Sequence, residues 1–319
     1  MIRVAVDAWN LVDDRRGMGR YVRCVLDDWR ARTDLDCTLI VRKAEHAALL
    51  SAEYPYAVRR SVRGTYDAVW YPWNAMRFTI RDARSVVLFH DAFAFTYPHR
   101  DWIARYREQA PIRRAIARAD ARAANSHWSA AELARIFRVD VETFTVIHPV
   151  PDPWFVPVPP PARAPYVLAV GGPEERKNLG TLVRAFERAF PDRECELLIA
   201  GNSPLANVHP SDAELRELYS GALAVAVPSN AEGYGLMTVE AMACGAPVIA
   251  SDASALPEAC DGAALLVPPY DLDAWTRALR ELAGDSRLRA ELRERSLARA
   301  ARIDRAETAR RILELLRGT

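Results

Sequence analysis

The sequence predicts an α/β protein made of two doubly wound, Rossmann-like domains. Three observations carry the prediction. Short apolar strands alternate with longer helical patterns along 319 residues. That alternation implies parallel strands with helical crossovers. It is interrupted once, by eight prolines between Pro149 and Pro165, and then restarts. Proline lacks an N–H and disfavours helix in the residue before it, so this stretch can be neither a central strand nor a helix. The length suffices for two domains, each with its own core.

The elements follow in order. Ile2–Ala8, Thr38–Val41, Ala68–Tyr71, Val86–Phe89 and Val146–His148 read as strands, and 18–31, 101–118 and 127–138 as helices. These make a first, acceptor-side domain over residues 1–150. Residues 151–165 read as a stiff connection. The second domain, 166–303, begins with strand Tyr166–Val170. Its first helix, 178–190, places Leu179, Leu182, Val183, Phe186 and Phe190 on one face. Strands at Glu196–Ala200, Leu223–Val227, Pro247–Ala250 and Ala264–Val267 alternate with helices at 212–220 and 236–244. Two amphipathic helices close the chain, 271–302 with a break near Gly284 and then 305–317. The last segment, 304–319, is set apart as a terminal helix, with packing back on the first domain as one arrangement. Two such domains would face each other across a cleft at the carboxyl ends of both sheets, where open α/β sheets bind ligands.

Composition narrows the class. Half the residues are hydrophobic and the formal net charge is +1, which excludes a disordered chain and speaks against a nucleic-acid partner. The apolar runs are too short to span a membrane. The N-terminus reads as a strand and not as a leader. The five cysteines lack metal-ligand spacing and are expected as reduced, buried thiols. A cytoplasmic protein is the expectation.

Glu232 and Glu240 bracket seven residues, Gly-Tyr-Gly-Leu-Met-Thr-Val. The first acid lies in a glycine-containing loop and the second within a short helix. A small-residue loop entering a helix offers N–H groups to phosphate, and two acids beside it suit sugar hydroxyls. Gly233 and Gly235 permit close backbone approach. The competing reading has Glu240 as an exposed helix residue and the glycines as plain turn formers.

Gly171-Gly172-Pro-Glu-Glu-Arg176-Lys177-Asn178 follows a strand and opens a helix. Asn178 is expected to cap that helix. Arg176 and Lys177 would sit at the positive end of the helix dipole, a poor place for cations unless an anion neutralises them. A diphosphate would do so; a solvated basic turn is the alternative. Lysine occurs only at 43 and 177, which favours a role for Lys177. Gly17-Met-Gly19-Arg-Tyr21 forms a tight turn after the first strand, functional or structural. His90, followed by Asp91, ends an apolar strand and could contact a sugar, or serve structure alone. Residues 100–122 carry seven arginines against three acids. They read either as a solvated face or as a peripheral contact with the inner face of a membrane.

Together these residues resemble a retaining glycosyltransferase of family 4, with the GT-B fold. Val227-Pro-Ser-Asn-Ala-Glu232-Gly-Tyr-Gly-Leu-Met-Thr-Val-Glu240-Ala-Met-Ala-Cys-Gly-Ala-Pro is similar to that family's paired-glutamate region. Arg176-Lys177-Asn178 matches its basic phosphate motif. Gly17-Met-Gly19-Arg-Tyr21 resembles a turn common in its bacterial mannosyltransferase-like group. The resemblance implies roles by position. Arg176 and Lys177 bind the donor diphosphate, Glu240 the ribose, and Glu232 the donor sugar. Gly172, Gly233, Tyr234, Gly235 and Leu236 line the donor. Gly19 offers backbone contact, and His90 lies near the transferred sugar. Glu232, His90, Lys177 and Arg176 are the catalytic set. The resemblance implies no metal or other cofactor. The donor is a nucleotide-diphosphate sugar, with a lean toward a GDP-mannose-like one, and the acceptor is a saccharide or a lipid-linked acceptor in glycan or polysaccharide biosynthesis. Replacing Glu232 or Lys177 by alanine is expected to abolish transfer and leave the fold intact. Two departures stand out: Gly171-Gly172 where relatives carry Gly-Arg, and a short 201–212 segment. The second motivates a rival reading, a catalytically silent member acting as a nucleotide-sugar-binding or scaffold subunit. A phosphorylase-like enzyme of the same fold is a further rival, without a visible pyridoxal site.

Overall fold

The computed structural model describes residues 1–15 and 17–319. Arg16, part of the Arg15–Tyr21 turn, lies outside the described residues. The chain divides into two compact units, Met1–Val150 with Asp304–Thr319, and Pro151–Ile303.

The first unit holds a seven-stranded sheet in the order β3-β2-β1-β4-β5-β6-β7. The strands are β1 (Ile2–Asp7), β2 (Leu35–Ile40), β3 (Ala57–Arg59), β4 (Ala68–Tyr71), β5 (Arg84–Phe89), β6 (Ala121–Ala124) and β7 (Phe144–Val146). Each pairs in parallel with its neighbours. Its helices are α1 (Met18–Trp29), α2 (Ala44–Glu53), α3 (Phe93–Thr96), α4 (Trp102–Arg118) and α5 (His127–Phe137). Alternate side chains of each strand face opposite layers. Val4, Val6, Trp70 and Leu88 meet Val22, Leu26 and Trp29 of α1 on one side. Val69, Tyr71, Val87 and Phe89 meet Ile112 of α4 and Leu133 of α5 on the other. Burial on both faces explains why these strands read as continuous apolar runs.

The second unit has a five-stranded sheet in the order β12-β11-β10-β8-β9. Its strands are β8 (Tyr166–Gly171), β9 (Glu196–Gly201), β10 (Ala224–Val227), β11 (Val248–Ser251) and β12 (Leu265–Val267). The helices are α6 (Leu179–Ala189), α7 (Asp212–Gly221), α8 (Leu236–Ala243), α9 (Leu256–Cys260), α10 (Leu272–Gly284) and α11 (Ser286–Ala301). Helix α12 (Arg305–Arg317) returns to the first unit. There Ile312, Leu313 and Leu316 enter the α1 layer, and Trp29 Nε1 donates to Ala309 O at 3.2 Å.

Residues 151–165 belong to the second unit. Phe155 is buried with its ring 5.9 Å from that of Tyr219. The Arg216 guanidinium lies 3.9 Å above the Trp154 ring. Val158 N–H donates to Ser220 Oγ at 3.2 Å. Proline fixes this segment's backbone, and its aromatics hold it on the second unit.

Several expectations shift. Strand β6 is Ala-Arg-Ala-Ala, a helix-favouring composition that tertiary pairing between β5 and β7 overrides. Helix α2 and strand β3, absent from the sequence reading, fill the stretch after β2. All five cysteines are buried and free. The short segment after β9 ends the sheet by side-chain mimicry. Asn207 Oδ1 accepts from Ile199 N–H at 2.8 Å, and its Nδ2 donates to Leu197 O at 2.8 Å. The backbone N–H groups of Asn207 and Val208 add bonds to Ile199 O at 3.0 and 3.3 Å, so side chain and backbone together occupy groups a further strand would have paired.

Candidate functional site

Strands β8 and β10 are adjacent, so the loops at their carboxyl ends lie side by side. The β8 loop carries Arg176 and Lys177 in a 3-10 turn, Glu175–Lys177. The β10 loop carries Glu232 and leads into α8. Lys177 Nζ donates to Glu232 Oε1 at 2.7 Å, and both side chains are about nine-tenths buried. Arg176 Nη1 lies 3.4 Å from Glu232 Oε2 and donates to Ala231 O at 3.1 Å. Glu232 is therefore an anion shared by both cations, and Glu174 Oε1 lies 3.6 Å from Arg176 Nη2. Burial pushes the Glu232 carboxyl up, but Lys177 and then Arg176 outweigh it and hold the group below its ordinary value. Glu232 N–H donates to Ser254 Oγ at 2.8 Å. Ser254 holds that position from a left-handed backbone, φ 52°. Two cations thus face one buried carboxylate, Glu232, and one half-exposed carboxylate, Glu174.

Asn178 occupies the expected N-cap position of α6, but not with the expected side-chain bond. Its side chain caps no helix amide. Its backbone is left-handed, φ 50°, and its Nδ2 donates to Pro228 O at 3.1 Å and Pro269 O at 2.7 Å. Its Oδ1 accepts from Thr181 Oγ1 at 2.7 Å. A backbone bond from Asn230 N–H to Arg176 O, 2.8 Å, adds a second tie between the β8 and β10 loops. Tyr270 closes the ring by accepting from Asn230 Nδ2. Asn178 thus fastens three loops at the carboxyl edge of the sheet. The sequence signal was a lone Asn after a Lys, which cannot by itself distinguish a cap from a clamp.

Glu240 lies on the second turn of α8 and is 4 % exposed. That burial does not fit the reading of Glu240 as an exposed helix residue. Gly235 precedes α8 with φ +92°, and a Cβ there would come within 2.7 Å of Leu256 Cδ2. This glycine is required by both conformation and space. Gly233 is buried and Leu236 half-buried in the same loop. Gly172 follows β8, where a Cβ would meet the movable Glu174 carboxylate at 2.2 Å. Tyr234 is different from the others. It is buried among Val239 and Ala259, and its hydroxyl accepts from Arg299 Nη2 at 3.1 Å. Burial pushes that phenol up to about 12. Its ring supports the loop from below, so only its backbone is left to face a ligand. A cavity of about 600 Å³ beside this loop set is lined by Gly172, Glu174, Asn178, Ser203 and Tyr270.

His90 and Gly19 belong to the first unit. His90 directly follows β5 and is buried. Its Nε2 lies 2.8 Å from Pro72 O, which fixes Nε2–H as donor and leaves Nδ1 as an acceptor. Burial lowers its pKa to about 4, against the carbonyl bond, so the ring is neutral at pH 7. Asn74 Oδ1 accepts from His90 N–H, and Ser129 Oγ donates to His90 O at 3.0 Å. Gly19 enters α1 where a Cβ would sit 1.8 Å from Asp14 O. That clash is a sufficient structural reason for glycine. Asp7 ends β1 fully buried, with Arg77 Nη1 3.5 Å away, and burial pushes its carboxyl up to about 6.

Comparison with known proteins places this geometry. The family model for "Glycosyl transferases group 1" matches residues 164–285, which contain the whole Arg176–Lys177–Glu232–Glu240 set. The chain is 27 % identical over 278 residues to an O-antigen chain mannosyltransferase B of Escherichia coli, covering 76 % of this chain and 73 % of that protein. It is 29 % identical over 304 residues to a D-inositol 3-phosphate glycosyltransferase of Nocardia farcinica, covering 80 % and 67 %. The solved structure of Anabaena HepE in complex with UDP-glucose superposes with a TM-score of 0.78 at 16 % identity, covering 100 % of both chains. WaaG, a glycosyltransferase involved in lipopolysaccharide biosynthesis, gives 0.75 at 15 % identity, again over 100 % of both chains. At such identities the structures speak for the fold. The second unit is a group 1 glycosyl transferase domain, and the chain is a glycosyltransferase of the GT-B fold.

Proposed function

We propose that this glycosyltransferase is a retaining, family 4 enzyme that moves a sugar from a nucleotide diphosphate to a saccharide or lipid-linked acceptor. The observation that carries the reading is the buried Lys177–Glu232–Arg176 cluster at the carboxyl edge of the second sheet. Arg176 and Lys177 take the diphosphate and stabilise the charge that develops on it as the glycosidic bond breaks. Electrostatic stabilisation by these cations suffices in this reading, with no metal assigned. Glu232, released in part from Lys177 by the phosphate, accepts from hydroxyls of the donor sugar. Glu240 accepts from the ribose. Gly233, Gly235 and Leu236 present backbone to the donor, as does Tyr234. His90 Nδ1 is an acceptor for a hydroxyl of the transferred sugar, and Gly19 offers backbone nearby.

HepE was solved with UDP-glucose, and one relative is named a mannosyltransferase. We therefore propose a nucleotide hexose as donor and keep a GDP-mannose-like one as the first to test. Melting curves with UDP-, GDP-, ADP- and dTDP-sugars discriminate, because a ligand that binds only the folded state raises the midpoint. One base should shift the midpoint and support transfer in a radiolabelled-donor assay. A shift without transfer to any acceptor would favour a silent binding subunit. No shift with any donor would overturn the reading.

A further inference from the structure

The first sheet reverses its strand order between β1 and β4, with β2 and β3 on one side and β5 to β7 on the other. Open α/β sheets bind ligands beyond the carboxyl ends of the strands at such a reversal. Trp9 follows β1 there, half-buried, with the Phe78 ring 6.1 Å from its own. Two guanidiniums lie over the Trp9 ring, Arg77 from the β4 loop at 5.8 Å and Arg42 from the β2 loop at 5.9 Å. Arg60, which directly follows β3, donates through Nε to Arg42 O at 3.4 Å. Three cations from three loops thus gather round one indole.

Buried bonds hold the group in place. Asp7 Oδ1 accepts from Trp9 N–H at 3.1 Å, and Asp7 Oδ2 lies 3.5 Å from Arg77 Nη1. Trp73 Nε1 donates to Asp7 O at 2.6 Å, which ties the β4 loop to the end of β1. Asp7 is fully buried, so it positions Trp9 and Arg77 and meets no solute itself. The acids nearby are engaged elsewhere. Asp13 lies 3.6 Å from Lys43 Nζ and 3.4 Å from His46 Nε2, and Glu45 lies 3.7 Å from Lys43 Nζ. Arg42 and Arg60 are exposed, and among the described residues no acid pairs with either. The Trp9 Nε1–H is buried and bonds to nothing among those residues. Like charges repel, and a buried donor without an acceptor is costly. One compact anion with several oxygens would relieve both. A solvated basic face would account for Arg60. It would not account for two guanidiniums drawn over a half-buried ring whose own donor is left unpaired.

We propose that Arg42, Arg60 and Arg77, gathered round Trp9 beyond the carboxyl ends of β2, β3 and β4, bind a phosphate group carried by the acceptor. Guanidiniums suit the task, because their planar donor forks match phosphate oxygens in pairs. This phosphate site rests on the reading of the chain as a transferase with a saccharide or lipid-linked acceptor, and it names the acceptor's chemistry. The phosphate can arrive on a sugar or, as a diphosphate, on a lipid carrier; the same three cations recognise either.

The test is calorimetric titration of the whole protein with mannose 6-phosphate, with farnesyl diphosphate and, as the uncharged control, with mannose. Three proteins are compared at a temperature where all are folded: the parent, Arg42→Gln with Arg60→Gln, and Arg176→Gln with Lys177→Met. Arg77 is left in place, because its loss would strand the buried Asp7. Arg42 and Arg60 are exposed, so their variant should keep the parent's melting point. At least one phosphate probe should bind the parent, mannose should not, and binding should weaken as salt rises. The Arg42/Arg60 variant should lose on the order of tenfold or more of that affinity, and the Arg176/Lys177 variant should keep it. Tighter binding of the sugar phosphate puts the group on a saccharide, and tighter binding of the diphosphate puts it on a lipid carrier; either supports the proposal. No binding of either phosphate probe, equal binding to the parent and the Arg42/Arg60 variant, or loss only in the Arg176/Lys177 variant overturns it. The donor reading is judged separately, by nucleotide titration, and its failure would leave this result unmoved.

Discussion

Replacing Lys177 by methionine removes one charge from a buried pair and keeps its bulk. Glu232 then stays in a site that burial disfavours, with Arg176 at 3.4 Å as its remaining cation. Breaking a buried pair by deleting one partner costs about 3–5 kcal/mol, and the second cation argues for the low end, about 3 kcal/mol. For a unit of this size that corresponds to a melting shift of roughly 6–12 °C. The pH dependence follows from the same pair. In the parent, the Glu232 pKa is depressed, so its contribution is present above the unfolded value and lost as pH falls through the folded one. In Lys177→Met the penalty is borne by an ionised, poorly paired carboxylate, and it vanishes once that carboxylate is protonated. The gap between parent and variant should be widest at pH 7 and narrow as pH falls below about 5. Urea unfolding of both proteins from pH 7 to pH 4 measures it. A gap under about 1 kcal/mol at pH 7, or one that grows toward acid, would refute the reasoning. This prediction differs from the sequence expectation that alanine at Glu232 or Lys177 leaves the fold intact. Adjacency in space made Lys177 and Glu232 a single unit, and their 55-residue separation hid it.

The remaining predictions concern single side chains. His90 is neutral with a depressed pKa near 4. The unfolded chain therefore binds a proton that the native state refuses, and about 3 kcal/mol should be lost as pH falls from 6.5 toward 4; His90→Gln should remove that component from a urea titration. Asn178→Asp deletes two donors and aims a carboxylate at the Pro228 and Pro269 carbonyls. A loss of about 2–4 kcal/mol is expected, whereas Asn178→Gly, which suits the left-handed backbone, should lose less; equal stability of all three would rule out the clamp. Tyr234→Phe leaves a buried Arg299 Nη2 without its hydroxyl and should cost about 1 kcal/mol. Donor affinity should stay within about twofold, and calorimetry showing a larger loss would return the Tyr234 hydroxyl to the site.

Sequence alone showed much of this architecture, unevenly. The alternating strands and the Leu179–Phe190 face were legible because burial on both sides of a parallel sheet leaves a strong apolar pattern. Strand β6 was not, because Ala-Arg-Ala-Ala owes its conformation to the strands on either side. Arg176, Lys177, Glu232 and Glu240 were singled out as candidates by chemistry and by family resemblance. Their connections were not, since hydrogen bonds between loops leave no spacing rule. Asn178 as a clamp, Ser254 beside Glu232, and the Arg299 anchor of Tyr234 are visible only in the fold.

The central claim is that Arg176 and Lys177 form the diphosphate seat. The direct measurement is calorimetric titration of UDP and GDP into the parent and into Arg176→Gln with Lys177→Met, at a temperature where both are folded. One nucleotide should bind the parent, and the double variant should lose on the order of a hundredfold, two charged hydrogen bonds' worth. Equal affinity in parent and variant would contradict the account.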